Sequence, residues 1–135
     1  MRPELISFAK FFHGHIGPFL ALGMKAGLLA VLKCGRDPLR SHAQIKLPLR
    51  RPISCFIDGF QLITGCTVGK LNLSIVDSEN DTIEVDYVCN ERRVKIVVRN
   101  EFLVKILEEL RNFKDLKVLA YDVISTNDED VFIVS

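Results

Sequence analysis

Two imidazoles flanking one glycine, His13-Gly14-His15, are the first residues of the chain able to hold a metal ion or move a proton. Residues two apart lie on opposite sides of an α-helix. The rings therefore converge only where the backbone leaves helical geometry, and Gly14 permits that departure. Neutral imidazole binds zinc, nickel, copper and iron, and the helix that can open at Gly17-Pro18 offers free N-terminal amides to an anionic ligand beside the ion. The ordinary alternative is a pair of loop or capping histidines. Cys34, Cys55, Cys66 and Cys89 supply thiols, but none forms a Cys-x-x-Cys pair. A zinc-ribbon knuckle and a thioredoxin motif are therefore excluded, and a metal site has to be assembled from distant segments. Taken singly, each thiol reads as a small buried hydrophobe, and Cys34, Cys89 and Tyr87 are assigned to structure.

Cys55 and Cys66 bracket the second informative segment, which continues through Thr64-Gly65-Cys66-Thr67 to Gly69-Lys70 and Asn72. Gly65 and Gly69-Lys70 frame a loop, but a phosphate loop needs four residues between its glycines and the order strand, loop, helix. Here three residues intervene and the order is reversed, so Lys70 is left only as a contact for an anionic substrate. Cys55 and Cys66 are eleven positions apart, about 16 Å along one straight helix, which thiolates bound at about 2.3 Å cannot span around one zinc ion. Either the helix is shorter, or a single thiol joins His15, or a two-fold-related protomer supplies the other. The reading preferred is His15 with Cys66, with His13 and a cross-subunit Cys55 behind them. Asp58 and Gln61 read as capping and solvent contacts, and Arg50-Arg51, with Arg40 and Lys46, as a solvated loop between Pro48 and Pro52 where a local anionic ligand stays open.

The segment Phe12 to Gly23, with its phenylalanine-His-Gly-His opening, proline and Leu-x-x-Gly pattern, resembles the small E-subunit family of formylmethanofuran dehydrogenase, as does Cys55 to Leu73 with its Cys, Asp, Gln, Thr-Gly-Cys-Thr, Gly-Lys and Asn. The resemblance covers roughly the first half of the chain. It implies a compact α+β core, often a homodimer, with the histidines and cysteines at a metal-binding or active-site cleft. The ion would be a divalent transition metal, zinc first, and the role that of an enzyme or accessory subunit in one-carbon or molybdenum-tungsten metabolism, on a larger dehydrogenase complex. Some relatives add a C-terminal zinc finger, for which this sequence has no cysteine pairs. Gly17 stands where the family has the cysteine of its His-Gly-His-x-Cys-Pro motif, and Arg50, Arg51 and Pro52 stand where an acidic residue often precedes the equivalent of Cys55. Two other readings are a non-catalytic metal carrier or binding module, and a metal-free thiol enzyme in which Cys66 has a depressed pKa with a histidine as base.

The elements that must position these residues follow from periodicity. Leu5, Phe8, Ala9 and Phe12 behind Pro3 predict a helix ending near Gly14, and a second helix runs from Pro18 to Cys34 before Gly35. Gly23 and Gly27 share one face of it, which fits either a close crossing with another element or protomer or a helix tolerated through burial alone. Ala43 to Leu47 predicts a strand and Ile53 to Ile63 a helix. From Leu71 the period changes to two, and strands at Leu71–Ile75, Ile83–Tyr87 and Val94–Val98 predict an antiparallel meander with helices on one face. Asn100 caps a last long helix with Phe102, Leu103, Ile106, Leu107, Leu110 and Phe113 as its buried stripe, and Val118–Ile124 and Val131–Val134 finish as strands.

The sum is one α+β domain of 135 residues, long enough to bury a core without disulfide staples. A formal charge of +1 gives no global attraction for nucleic acid. The apolar run Ile16 to Leu32, interrupted by Pro18 and Lys25, falls short of the roughly 20 residues a bilayer span requires, and no cleavable leader is recognised. The chain is therefore expected in the cytoplasm, with reduced thiols, and with a small-molecule ligand open to it.

Overall fold

The structure, a computed structural model, describes residues 1–112 and 114–135; Phe113, assigned by periodicity to the stripe of the long helix, lies outside them. Proline in the first turn starts α1 (Pro3–His13), and Gly14 stops it in the left-handed conformation with φ 102° while its amide donates to the Lys10 carbonyl. α2 (Pro18–Cys34) is buried on nearly every side and forms the spine of the molecule. A 3-10 turn over Ile53–Cys55 leads into α3 (Phe56–Thr64), which Gly65 ends in the left-handed conformation.

α2 and α3 cross at van der Waals range because three glycines let them. A Cβ on Gly23 would lie 2.0 Å from the Phe56 carbonyl oxygen, and one on Gly59 would lie 2.2 Å from that of Leu20. Gly27 faces Ile63 in the same crossing. Of the two readings of Gly23 and Gly27, the structure selects the close crossing, made within one chain and with Gly59 as its third member.

The sheet contains β1 (His42–Leu47), β2 (Leu73–Asp77), β3 (Glu84–Cys89), β4 (Arg92–Val98) and β5 (Phe132–Val134) in the order β2-β1-β3-β4-β5. Every pairing is antiparallel except β1 with β2, which is parallel with Ala43 opposite Leu73. The expected α+β class and largely antiparallel sheet hold. The expected neighbours are corrected at one place: β2 does not pair with β3, because β1 inserts between them. Burial explains the order. β1 alternates outward and buried residues without a break, as a central strand does, whereas β2 buries only Leu73 fully and suits an edge. Leu71, expected to start that strand, instead sits in a turn at φ 64° and is exposed. Ile45, Val85, Tyr87 and Ile96 line the face under the helices, while Gln44, Lys46 and Lys95 point away from it.

α4 (Asn100–Arg111) has Arg99 as its extended N-cap residue, so Asn100 is the first helical residue and not the cap. Val118–Ile124, expected as a strand, belongs to α5 (Leu116–Ser125). Asp115 accepts the amides of Lys117 and Val118 at its start, and Leu119, Ala120 and Val123 bury a helical stripe. α6 (Asp128–Val131) then leads into β5. Lys25, the one charge within α2's apolar run, ends in polar company: its ammonium lies 2.9 Å from Asp128 and 3.3 Å from the Ile124 carbonyl. No helix of the described residues is long and apolar enough to cross a membrane. Cys34 and Cys89 are joined by a disulfide that ties the end of α2 to the end of β3, which corrects the expectation of four reduced thiols.

Candidate functional site

His13 is the last residue of α1, and its side chain is nine-tenths buried. Its Nδ1 lies 2.6 Å from Oδ2 of Asp58, which sits in the first turn of α3. The two meet because the glycine crossing holds α3 against α2 at a fixed register, and α1 docks on the same pair. With the proton on Nδ1, the ring donates it to the carboxylate and keeps its lone pair on Nε2. That nitrogen is buried and has no hydrogen-bond partner among the described residues. A buried acceptor without a partner costs about 1–3 kcal/mol, so it calls for a ligand or a proton donor. A histidine that donates one nitrogen to a carboxylate and presents the other is the arrangement of a metal ligand with its orienting partner.

His15 is two residues on, beyond the left-handed turn at Gly14. Its ring centroid lies 4.9 Å from that of His13 with the planes at 52°. Two imidazoles bound to one tetrahedral ion through nitrogens at about 2.1 Å have centroids roughly 5 Å apart, so the separation suits a shared ion. Gly17 lies directly beneath His15: a Cβ there would stand 3.3 Å from Cε1 and 3.6 Å from Nδ1 of that ring. Among the described residues no three His, Cys, Asp or Glu side chains converge as a complete metal cage.

Both histidines line an apolar cavity of about 200 Å³, together with Cys55, Arg51 and the first residues of α2. Cys55, which the sequence left open as a thiol from a second protomer, lines the same cavity as the histidines within one chain, without forming a three-ligand cluster with them among the described residues. Burial pushes its thiol up, the charge of Asp58 pushes in the same direction, and the guanidinium of Arg51 opposes them. His15 and Leu116 form the wall between this cavity and an outer groove of about 550 Å³ bearing Lys10, Lys117 and Tyr121.

Cys66, the preferred partner of His15, is not brought to the histidines. It follows the far end of α3 and is fully buried. Its thiol is pushed up by burial, against the smaller opposing effects of the Thr64 hydroxyl, Lys70 and Arg36. The reading of Cys66 as a thiol with depressed pKa is therefore corrected, because desolvation outweighs two cations that remain partly in solvent. Lys70 donates to the Gly65 carbonyl and to Oγ1 of Thr67, and Arg36 Nε to the Ile63 carbonyl at 2.7 Å, so both cations cap the C-terminal end of α3. Gln61 accepts from the Val68 amide and Asn72 from the Thr67 amide, while Asn72 donates to the carbonyls of Pro38 and Ser41. The Thr64–Asn72 motif is a scaffold that locks a loop. Asp58 and Arg51 are the site residues that the sequence left among capping and solvated groups. The available signal was the three-residue step from Cys55 to Asp58, which puts both on one face of a helix start.

The family model described as FmdE, molybdenum formylmethanofuran dehydrogenase operon, matches residues 12–132, a range that includes both motifs. A protein of Archaeoglobus fulgidus named probable S-adenosyl-L-methionine-binding protein is 33% identical over 100 residues, which are 73% of this chain and 27% of that protein. The chain thus spans little more than a quarter of that relative's length.

Proposed function

Because the chain belongs to the FmdE family, we propose that it is a metal-binding protein of one-carbon or molybdenum-tungsten enzymology that holds one divalent transition ion, zinc first, between His13 and His15. The observation that carries this reading is the buried, unpartnered Nε2 of a histidine whose Nδ1 is tied to Asp58. Asp58 fixes the ring's orientation, His15 supplies the second nitrogen, and Cys55 is the thiol that lines the same cavity. Gly17, in place of a thiol, leaves the coordination sphere open to water or a small ligand. An open ion of this kind supplies Lewis acidity and an activated water, whereas a closed four-ligand site is structural. The open sphere also supports the carrier reading, in which the ion exchanges with a partner enzyme. Docking on a larger dehydrogenase, and a homodimer, are parts of the same proposal. S-adenosyl-L-methionine is not carried over from the archaeal relative. A cavity of about 200 Å³ lies below the roughly 300 Å³ at which ordinary small-molecule pockets begin.

The test is metal analysis and zinc titration of untagged protein beside His13→Ala, His15→Ala and Asp58→Asn variants. One ion per chain, lost in either histidine variant, is the expected result. Absence of bound zinc, or uptake unchanged by both histidine substitutions, refutes it.

A further inference from the structure

We infer that the outward side of α1 is a two-fold interface between two copies of this chain. The inference gives a surface to the homodimer of the proposed function, rests on that part of it alone, and does not need the ion. α1 buries only Ala9 completely, with Leu5 packed beside it against a cluster of Leu20, Met24 and Ile63. Phe8 and Phe12, which periodicity groups with Leu5 and Ala9, instead stand 59% and 49% exposed, and Phe11 stands 86% exposed. Positions 8, 11 and 12 fall within about 100° of one another around a helix, so the three rings form one patch. The other phenylalanines of the described residues, Phe19, Phe56, Phe60, Phe102 and Phe132, are all buried.

The area of the patch fits a second copy. With roughly 200 Å² available per phenylalanine, the three rings expose about 390 Å² at these fractions. A standard interface covers about 800 Å² on each partner and is about 57% apolar, which asks for about 450 Å² of apolar surface a side. The rings alone supply most of it. Charge points to the same occupant. Lys10 turns away from the patch into the outer groove, and Arg2 and Glu4 at the start of the helix lie 3.8 Å apart and answer each other. The patch therefore holds no net charge with which to select an acidic or basic partner. Its own duplicate matches it: a two-fold axis crossing α1 lays ring against ring in offset or edge-to-face contact, and homodimer interfaces are the apolar, charge-poor class. An interface here also anchors the helix whose last residue is His13.

The experiment is sedimentation velocity and multi-angle light scattering of the full chain at rising concentration. A dimer is the expected species. Phe8→Glu and Phe11→Glu, at exposed positions and each entering a two-fold interface twice, should weaken it by at least about 100-fold, with the far-UV circular dichroism of the parent retained. Val104→Lys, on the exposed side of α4, is the control and should leave the dimer intact. In mixtures of isotope-labelled and unlabelled chain, filtered NMR spectra should show contacts between the rings of Phe8 and Phe11 across protomers. A parent that stays monomeric overturns the inference and the homodimer with it, and leaves the face to a different protein. A dimer that survives both phenylalanine variants, or that Val104→Lys breaks equally, overturns the inference and leaves a homodimer built through another face. Zinc uptake on the same samples keeps the metal proposal separate. A monomeric Phe11→Glu protein that takes up zinc leaves the ion standing, and a parent dimer that takes up none removes the ion alone.

Discussion

Replacing Gly59 by alanine tests the crossing on which the site depends. The new Cβ would stand 2.2 Å from the Leu20 carbonyl oxygen and 2.7 Å from the Met24 amide nitrogen. Both are backbone atoms of α2, so neither can rotate away. Restoring ordinary contact at about 3.5 Å forces the helices apart by roughly 1.3 Å. A gap of 0.5–1 Å already forfeits a quarter to a half of each dispersion well along the crossing, and overpacked cores lose about 1–3 kcal/mol, occasionally more. Because backbone meets backbone here, the upper end applies, about 3 kcal/mol, which lowers the melting temperature of a chain of this size by roughly 10 °C. Gly69→Ala is the internal control. Nothing lies within 4 Å of its added Cβ, and the loss of unfolded-state freedom should leave stability unchanged or raised by about 0.5 kcal/mol. Thermal unfolding followed by circular dichroism, with zinc affinity on the same samples, reads both effects. A Gly59→Ala protein that melts within about 2 °C of the parent, on the scale that makes 1 kcal/mol several degrees, would refute the reasoning that the glycines set the helix spacing.

Four further outcomes are expected. Gly17→Cys places a thiol beside the His15 ring and, on the proposed metal site, should tighten zinc by at least about tenfold in competition with a chromophoric chelator, since it would add a thiolate to the two imidazoles. Asp58→Asn should weaken zinc by about 10–100-fold with little change in melting temperature, the mark of a positioning residue. Reducing the Cys34–Cys89 disulfide, which closes a 55-residue separation, should cost about 4 kcal/mol in denaturant unfolding by the chain-entropy estimate. Cys55, Cys66 and Tyr87 are all raised, chiefly by burial, so the folded state keeps protons that the unfolded chain gives up. Their contribution is fully present below the unfolded-chain values and is lost as pH climbs through the raised folded ones, so stability should fall above about pH 9. A flat stability profile from about pH 8 to 11 would contradict that assignment.

The helices of the first half were legible because their punctuation is unambiguous: Pro3, Gly14, Pro18 and Gly65 each act through the local backbone. The strands were legible as strands from their alternation, but pairing order is a long-range property. Nothing local in Leu73–Asp77 reveals that β1 rather than β3 lies beside it. Val118–Ile124 misled because a short apolar run suits either period, and its arbiter, the Asp115 cap, lies outside the run. The cavity gathers both histidines and Cys55, which the sequence had named as candidates, while Asp58, bonded to His13, had been set aside. The favoured pair with Cys66 did not meet, because the length of α3 places that thiol at the far end. The Cys34–Cys89 bond was hidden for the same reason as the strand order: two elements 55 residues apart meet only in the fold.

The parallel pairing of β1 with β2 bears on the route by which the molecule assembles. Cys89 and Arg92 close a local hairpin through Asn90 and Glu91, both at positive φ, and such a turn forms with little loop entropy to overcome. β2 has no such shortcut, because the chain between it and β1 must first wind into α3. Its amides should therefore gain protection against hydrogen exchange after those of β3 and β4, and should open first in native-state exchange. Asp58 rides on that connecting helix, so it reaches His13 in the same late event, and a ligand gripping both would slow the opening of β2 on the opposite side of the sheet from β5.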